Sequence, residues 1–207
     1  MQSDTRNRLV YAGWIFEPFS AEALQSPFDC GDPDLNDFFA NDLLAHEDQL
    51  ITKTYLLMPE GMTVRDSCPV AFISFCNDSI RRESFKTQDA RSSLDALPER
   101  KRYPALPAVK IARLGVQLNF HDKDIGTFVL NVTKALFRCH NRTGCRFITV
   151  DAYNNDKVIG FYSKNLFAFL TDKDESNEHR TMFFDLKRTP EDEIAEVAQS
   201  LSVAHLL

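Results

Sequence analysis

Glycine is scarce in this sequence, with seven in 207 residues. A phosphate-cradling loop that uses several glycines must therefore carry other residues at some of those positions. Cysteine supplies no framework either. The five, Cys30, Cys68, Cys76, Cys139 and Cys145, are odd in number, form no Cys-x-x-Cys pair and share no zinc-like spacing with histidine. That excludes a disulfide scaffold and a structural zinc site and leaves reduced thiols; no metal is expected. No apolar run approaches the roughly 20 residues of a membrane span, and the opening MQSDTRNRLVYAGW has no apolar core of the signal-peptide kind. A cytoplasmic protein without a membrane partner is expected. Positive charge is not in excess: 24 Lys and Arg against 30 Asp and Glu give a net charge of -6. Thr171 to Leu207 holds nine acids and four bases, and only Arg81 to Arg102, with seven bases and four acids, runs the other way. Proteins that bind the phosphate backbone show the opposite balance, so the charge argues against a nucleic-acid partner.

What is present is ordinary globular material: 43% hydrophobic and 26% charged residues, enough at this length for one sizeable core. The chain reads as a single domain over 1–207, with 189–207 an added C-terminal helix opened by Thr189-Pro190-Glu191-Asp192. Phe supplies 17 of the 23 aromatics, and pairs such as Phe38-Phe39 and Phe183-Phe184 fit core packing better than base stacking.

Alternation predicts a strand over 10–18. Asp32-Pro33 reads as an N-cap and first helical residue, followed by Leu35, Phe38, Phe39 and Leu43 on one apolar helical face. Strands are predicted over 52–58 and 70–76, then a long polar connection over 78–106, and a strand over 109–116 (VKIARLGV). After a tight turn, Phe128, Val129, Val132, Ala135, Leu136 and Cys139 recur at helical spacing, and Gly144 is a stop. A strand over 145–153 (CRFITVDAY), a short helix over 156–164 and strands over 167–170 and 182–186 complete the series.

The turn NFHDKDIG between a strand and a helix N-terminus presents backbone N–H groups and a positive dipole end, a ready pyrophosphate site. This order, together with FDCGDPDLNDFF, KIARLGV, TVDAYN, FYSKN and HRTMFFDL, resembles the GCN5-related N-acetyltransferase (GNAT) family, and within it a subgroup that includes bacterial acetyltransferase toxins. The resemblance covers about Phe28 to Leu186. It implies an α/β (mixed α+β) acyl-CoA N-acyltransferase fold: a central mixed, mostly antiparallel sheet of 6–7 strands flanked by helices. It also implies that VKIARLGV diverges from CRFITVDAY and that acetyl-CoA is the co-substrate.

The family's phosphate motif maps onto His121, Asp122, Lys123, Asp124, Ile125 and Gly126, with Thr127 next. Only Gly126 matches a motif glycine; Asp124 stands where the first belongs, and there it would oppose a phosphate or cap the helix itself. The resemblance assigns the main chain of Leu114, Gly115 and Val116 to the pantetheine arm and the polarised thioester carbonyl. Tyr162 would be the acid that protonates the departing thiolate, and Asn155, or its neighbour Asn154, would bond the pantetheine amide. Leu166 replaces a family glycine. No base is evident, although Asn77 and Asp78 end a strand that could face the substrate. The implied function is transfer of an acetyl group from acetyl-CoA to an amine. Two alternatives stand beside it: a toxin that acetylates aminoacyl-tRNA, with a small antitoxin-like partner or a homodimer, and a catalytically silent interaction module.

Overall fold

The computed structural model describes residues 8–187 apart from 96, 99–102, 140 and 142–143; the expected C-terminal helix lies outside these residues. Eight strands form one sheet in the order β1-β2-β3-β4-β5-β6-β8-β7. By contact density the chain divides into two compact units, one holding residues up to Cys76 together with Ala112–Cys139, the other Asn77–Ile111 and the described residues from 141 to 187.

In the first unit, β1 (Leu9–Tyr11) and β2 (Trp14–Pro18) are an antiparallel hairpin where the sequence predicts one strand. Alternation continues through both halves and conceals the turn. Ala12 and Gly13 break it, with φ of 52° and 79°, the left-handed pair that a two-residue hairpin requires. Asp32 caps α1 (Pro33–Asp37) by accepting from the N–H groups of Asp34 and Leu35. A π-helical turn over Phe38–Asp42 leads to α2 (Leu43–Asp48). Together they deliver Phe38, Phe39 and Leu43 to a core that also holds Phe28, Leu56 and Phe72. Then β3 (Lys53–Pro59) pairs antiparallel with β4 (Ala71–Arg81).

The second unit begins within β4. The long connection after it holds α3 (Gln88–Asp95), then β5 (Ala105–Val116), whose last residues belong to the first unit with α4 (Ile125–Cys139). In the second unit β6 (Phe147–Tyr153) lies parallel to β5 and antiparallel to β8 (His179–Asp185). Between β6 and β8 come α5 (Asp156–Lys164) and the two-residue β7 (Ala168–Phe169). The eighth strand, beyond the expected six or seven, arises because the first predicted strand is the β1–β2 hairpin. Ile80, Phe85, Ala90, Phe147 and Phe183 are the heart of this unit's core. No helix among the described residues is long and apolar enough to cross a membrane.

Candidate functional site

The predicted site residues fall into two groups, one in each unit. In the first unit β5 ends at Leu114, Gly115 and Val116. Gly115 is a packing requirement: a Cβ there would lie 2.6 Å from the Phe72 ring and 3.2 Å from the Phe28 ring. Beyond it the chain is tied down quickly. The Gln117 N–H donates to the Val70 carbonyl and the Leu118 N–H to the Asp29 carbonyl, both at 2.9 Å. A 3₁₀ turn follows over Leu118–Phe120. His121 Nε2 lies 2.8 Å from the Val116 carbonyl oxygen. A carbonyl only accepts, so Nε2 carries the proton. The imidazole thus bridges the end of β5 to the start of the loop, and the lone pair it uses belongs to a residue assigned above to the pantetheine arm. Lys123 reaches back to the Asn119 carbonyl at 2.9 Å and lies over the Phe120 ring at 5.1 Å. Asp29 beside this loop is held below the usual carboxylate range by the Gly31 N–H, then by Asn36, with a smaller contribution from His121.

The loop carries two non-glycine residues in a backbone region that favours glycine. Asp122 and Asp124 have φ of 57° and 54°, in the left-handed region that Gly enters freely and Asp enters more readily than most other residues. Asp124 occupies the cap position of α4: its carbonyl accepts the Phe128 N–H at 2.9 Å. It does so from the left-handed region instead of the extended conformation usual at an N-cap. Ile125, Gly126 and Thr127 form the first turn of α4, with Ile125 buried. Their place at the positive end of a 15-residue helix suits an anion.

The second unit holds Tyr162, on α5, and Asn155, which precedes that helix. Asn155 is the N-cap, its Oδ1 accepting the Val158 N–H at 3.0 Å. Its neighbour Asn154 donates through Nδ2 to the carbonyls of Glu175 and Asn177, both at 2.9 Å. At the other end of α5 the Leu166 N–H donates to the Ser163 carbonyl and the Phe167 N–H to the Tyr162 carbonyl, both at 3.0 Å. Those two bonds, with Leu166 at φ 65°, make a Schellman cap. Its usual apolar contact is made by the rings of Tyr162 and Phe167, 5.3 Å apart and edge-on. The departure from glycine at Leu166 thus falls, like Asp124, where the backbone needs a positive φ. Tyr162 is 6% exposed, and burial pushes its phenol pKa well above the usual value. It holds its proton throughout the neutral range, the state an acid needs.

The parallel ladder of β5 with β6 runs from Ala108↔Phe147 to Ile111↔Val150, while β5 itself continues to Val116. Asp78 is a strand residue: Thr149 Oγ1 donates to its Oδ2 at 2.5 Å and the Ser79 N–H to its Oδ1 at 2.7 Å. Nothing in sequence spacing predicts the Asp78–Thr149 contact. No group of three or more His, Cys, Asp or Glu side chains among the described residues is arranged to hold a metal.

No protein-family model and no curated protein matches the chain in sequence. Solved structures do match it in fold. AtaT complexed with acetyl-methionyl-tRNAfMet is 22% identical, with a TM-score of 0.68 over 84% of this chain and 95% of that one. AtaTR bound with acetyl-CoA is 18% identical, with a TM-score of 0.66 over 86% and 96%. A tyrosine-to-phenylalanine variant of the AtaT toxin bound to the C-terminus of the antitoxin AtaR is 21% identical, with a TM-score of 0.64 over 84% and 94%. At these identities the likeness establishes architecture, and the chain has the mixed, mostly antiparallel GNAT-type fold of the AtaT toxin.

Proposed function

We propose that this protein is an N-acetyltransferase that moves an acetyl group from acetyl-CoA to an amine. The observation that carries the reading is the left-handed backbone at Asp122 and Asp124 running directly into α4. A left-handed backbone at Asp124, where the motif calls for a glycine, is what a phosphate-cradling turn would need there, and it supports this reading although the side chain has changed. In this reading the first turn of α4 and Lys123 receive the pyrophosphate, and the main chain of Leu114 to Val116 meets the pantetheine arm. Tyr162 gives its proton to the thiolate as the C–S bond breaks. Asn155 can donate to the pantetheine through its Nδ2 while its Oδ1 accepts the Val158 N–H as the cap. The likeness to AtaTR bound with acetyl-CoA supports the co-substrate.

Aminoacyl-tRNA is the first acceptor to test, because a structure of the same fold holds acetyl-methionyl-tRNA. The net negative charge is a weaker objection than it first looks. Residues 29–48 carry seven acids and no Lys or Arg, and 171–207 carry nine acids and four bases. The other 150 residues hold 20 bases and 14 acids, a balance compatible with a phosphate backbone. An antitoxin-like partner is the corresponding protein ligand, as for AtaT with AtaR. The test is release of CoA thiol from acetyl-CoA in the presence of charged tRNA. Acceptor-dependent release supports the reading, and release no faster than without acceptor rejects it.

A further inference from the structure

Within the second unit the two faces of the sheet are chemically different. Along β6, Phe147, Thr149, Asp151 and Tyr153 share one face, because side chains alternate along a strand. Ile80 packs in the same core cluster as Phe147, and Asp78 lies two residues from Ile80 on β4, so Asp78 belongs to this face as well. The part near α3 is apolar and covered; beyond it the face turns polar. There Lys110 pairs with Asp151, and Thr181 Oγ1 donates to Asp151 at 3.1 Å. Tyr162 lies on the opposite face. Its ring meets Phe167 at 5.3 Å, and Phe167 meets Phe184 of β8 at 5.6 Å. Phe184 is next to Phe183, the partner of Thr149, and so points the other way.

Of the two carboxylates on the polar face, Asp151 is already neutralised by Lys110, whereas among the described residues Asp78 forms no ion pair. Its carboxylate is half-buried and held in one orientation by Thr149, which is itself 1% exposed. Thr149 stands opposite Lys110, and the β5–β6 ladder has only one further pair, Ile111↔Val150. A fixed carboxylate, with no ion pair among the described residues, sits where the ladder stops and on the face opposite the proposed acid.

The geometry points to Asp78 as the proton acceptor for the acceptor amine, with Thr149 as its positioning residue. This rests on the acetyltransferase reading. The acceptor arrives as an ammonium ion; Asp78 takes one proton, and the freed nitrogen lone pair forms the C–N bond at the thioester carbonyl. As the C–S bond breaks, Tyr162 gives its proton to sulfur. The second proton on nitrogen leaves to solvent, Tyr162 recovers a proton from solvent, and Asp78 passes its own to water. The products are the amide, CoA thiol and one net proton.

The experiment uses the full chain, acetyl-CoA and, as acceptor probes, methionyl-tRNA, bulk aminoacyl-tRNA and spermidine, with thiol release as the readout. Asp78→Ala is expected to lose roughly 10²- to 10⁴-fold in kcat, the usual range for a lost general base, with acetyl-CoA affinity and melting temperature retained. Added formate, a small carboxylate able to enter the vacated space, is expected to restore at least about tenfold of that loss. Asp78→Asn, nearly isosteric, keeps the comparison valid if the Ala variant does not fold, and is expected to be slow without formate rescue. Thr149→Val is expected to lower kcat less than Asp78→Ala does. An Asp78→Asn variant within about threefold of wild type, or an Asp78→Ala variant that is slow but indifferent to formate, overturns the assignment. A wild type inactive on every probe overturns the acetyltransferase reading and this assignment with it.

Discussion

Two residues with positive φ have a clear chemical signature. Leu166 takes φ 65° in the Schellman cap of α5 although it is 48% exposed. A leucine there bears the left-handed penalty of roughly 1–2 kcal/mol and gains little burial in return. Leu166→Gly is therefore expected to raise stability by about 1 kcal/mol in urea unfolding; an unchanged or lower midpoint would show that the leucine has a compensating contact. Asp124 combines the same backbone need with a charge, and two substitutions separate them. Asp124→Asn removes the charge and tolerates φ 54°, while Asp124→Gly removes both charge and strain. If the carboxylate opposes the pyrophosphate, both variants bind acetyl-CoA more tightly than wild type, with a gain that shrinks as salt rises. If only the glycine variant gains, backbone freedom is the cause. Tyr162→Phe is the direct test of the acid. It should lower kcat by about 10²-fold or more while leaving acetyl-CoA binding intact, and an undiminished kcat would remove Tyr162 from the mechanism.

Helices and strands explain which parts of this picture were readable in advance. The helix over 156–164 is flanked by a capping asparagine and ends in a recognisable turn, so local sequence places it. Asp32-Pro33 fixes the start of α1 for the same reason. The hairpin at Ala12-Gly13 was concealed because the apolar pattern of VYAGWIFEP continues across the turn, whereas β7 falls inside the strand expected over 167–170. Motif glycines replaced by Asp124 and Leu166 were visible as departures, but their φ values belong to the fold. Contacts between distant residues left no trace in spacing. Asp78 with Thr149 is one. The buried pair of Arg180 with Asp174 is another: Arg180 Nε donates to the carboxylate at 2.9 Å, the Thr181 N–H donates at 2.8 Å, and the guanidinium lies 3.9 Å from the Phe169 ring centroid. This pair anchors the acidic loop between β7 and β8. Arg180→Ala strands a buried carboxylate and is expected to cost about 3–5 kcal/mol in chemical denaturation. A loss below 1 kcal/mol would mean that water already solvates Asp174.

For the whole molecule the decisive property is the distribution of charge rather than its sum. The net charge of -6 is smaller in magnitude than the excess of acids in residues 29–48 and 171–207 combined, so an average over the chain conceals how unevenly charge runs along the sequence. Asp42 and Asp48 are exposed. If tRNA is the acceptor, Asp42→Asn/Asp48→Asn should lower KM for methionyl-tRNA by about two- to threefold at low ionic strength and leave it unchanged at about 0.5 M salt. The central claim, that this fold still takes acetyl-CoA despite Asp122 and Asp124, is tested most directly by calorimetric titration of acetyl-CoA into the full chain. The account predicts saturable binding at one site per chain, tightened by Asp124→Gly. Absence of binding at millimolar acetyl-CoA, for wild type and Asp124→Gly alike, would contradict it.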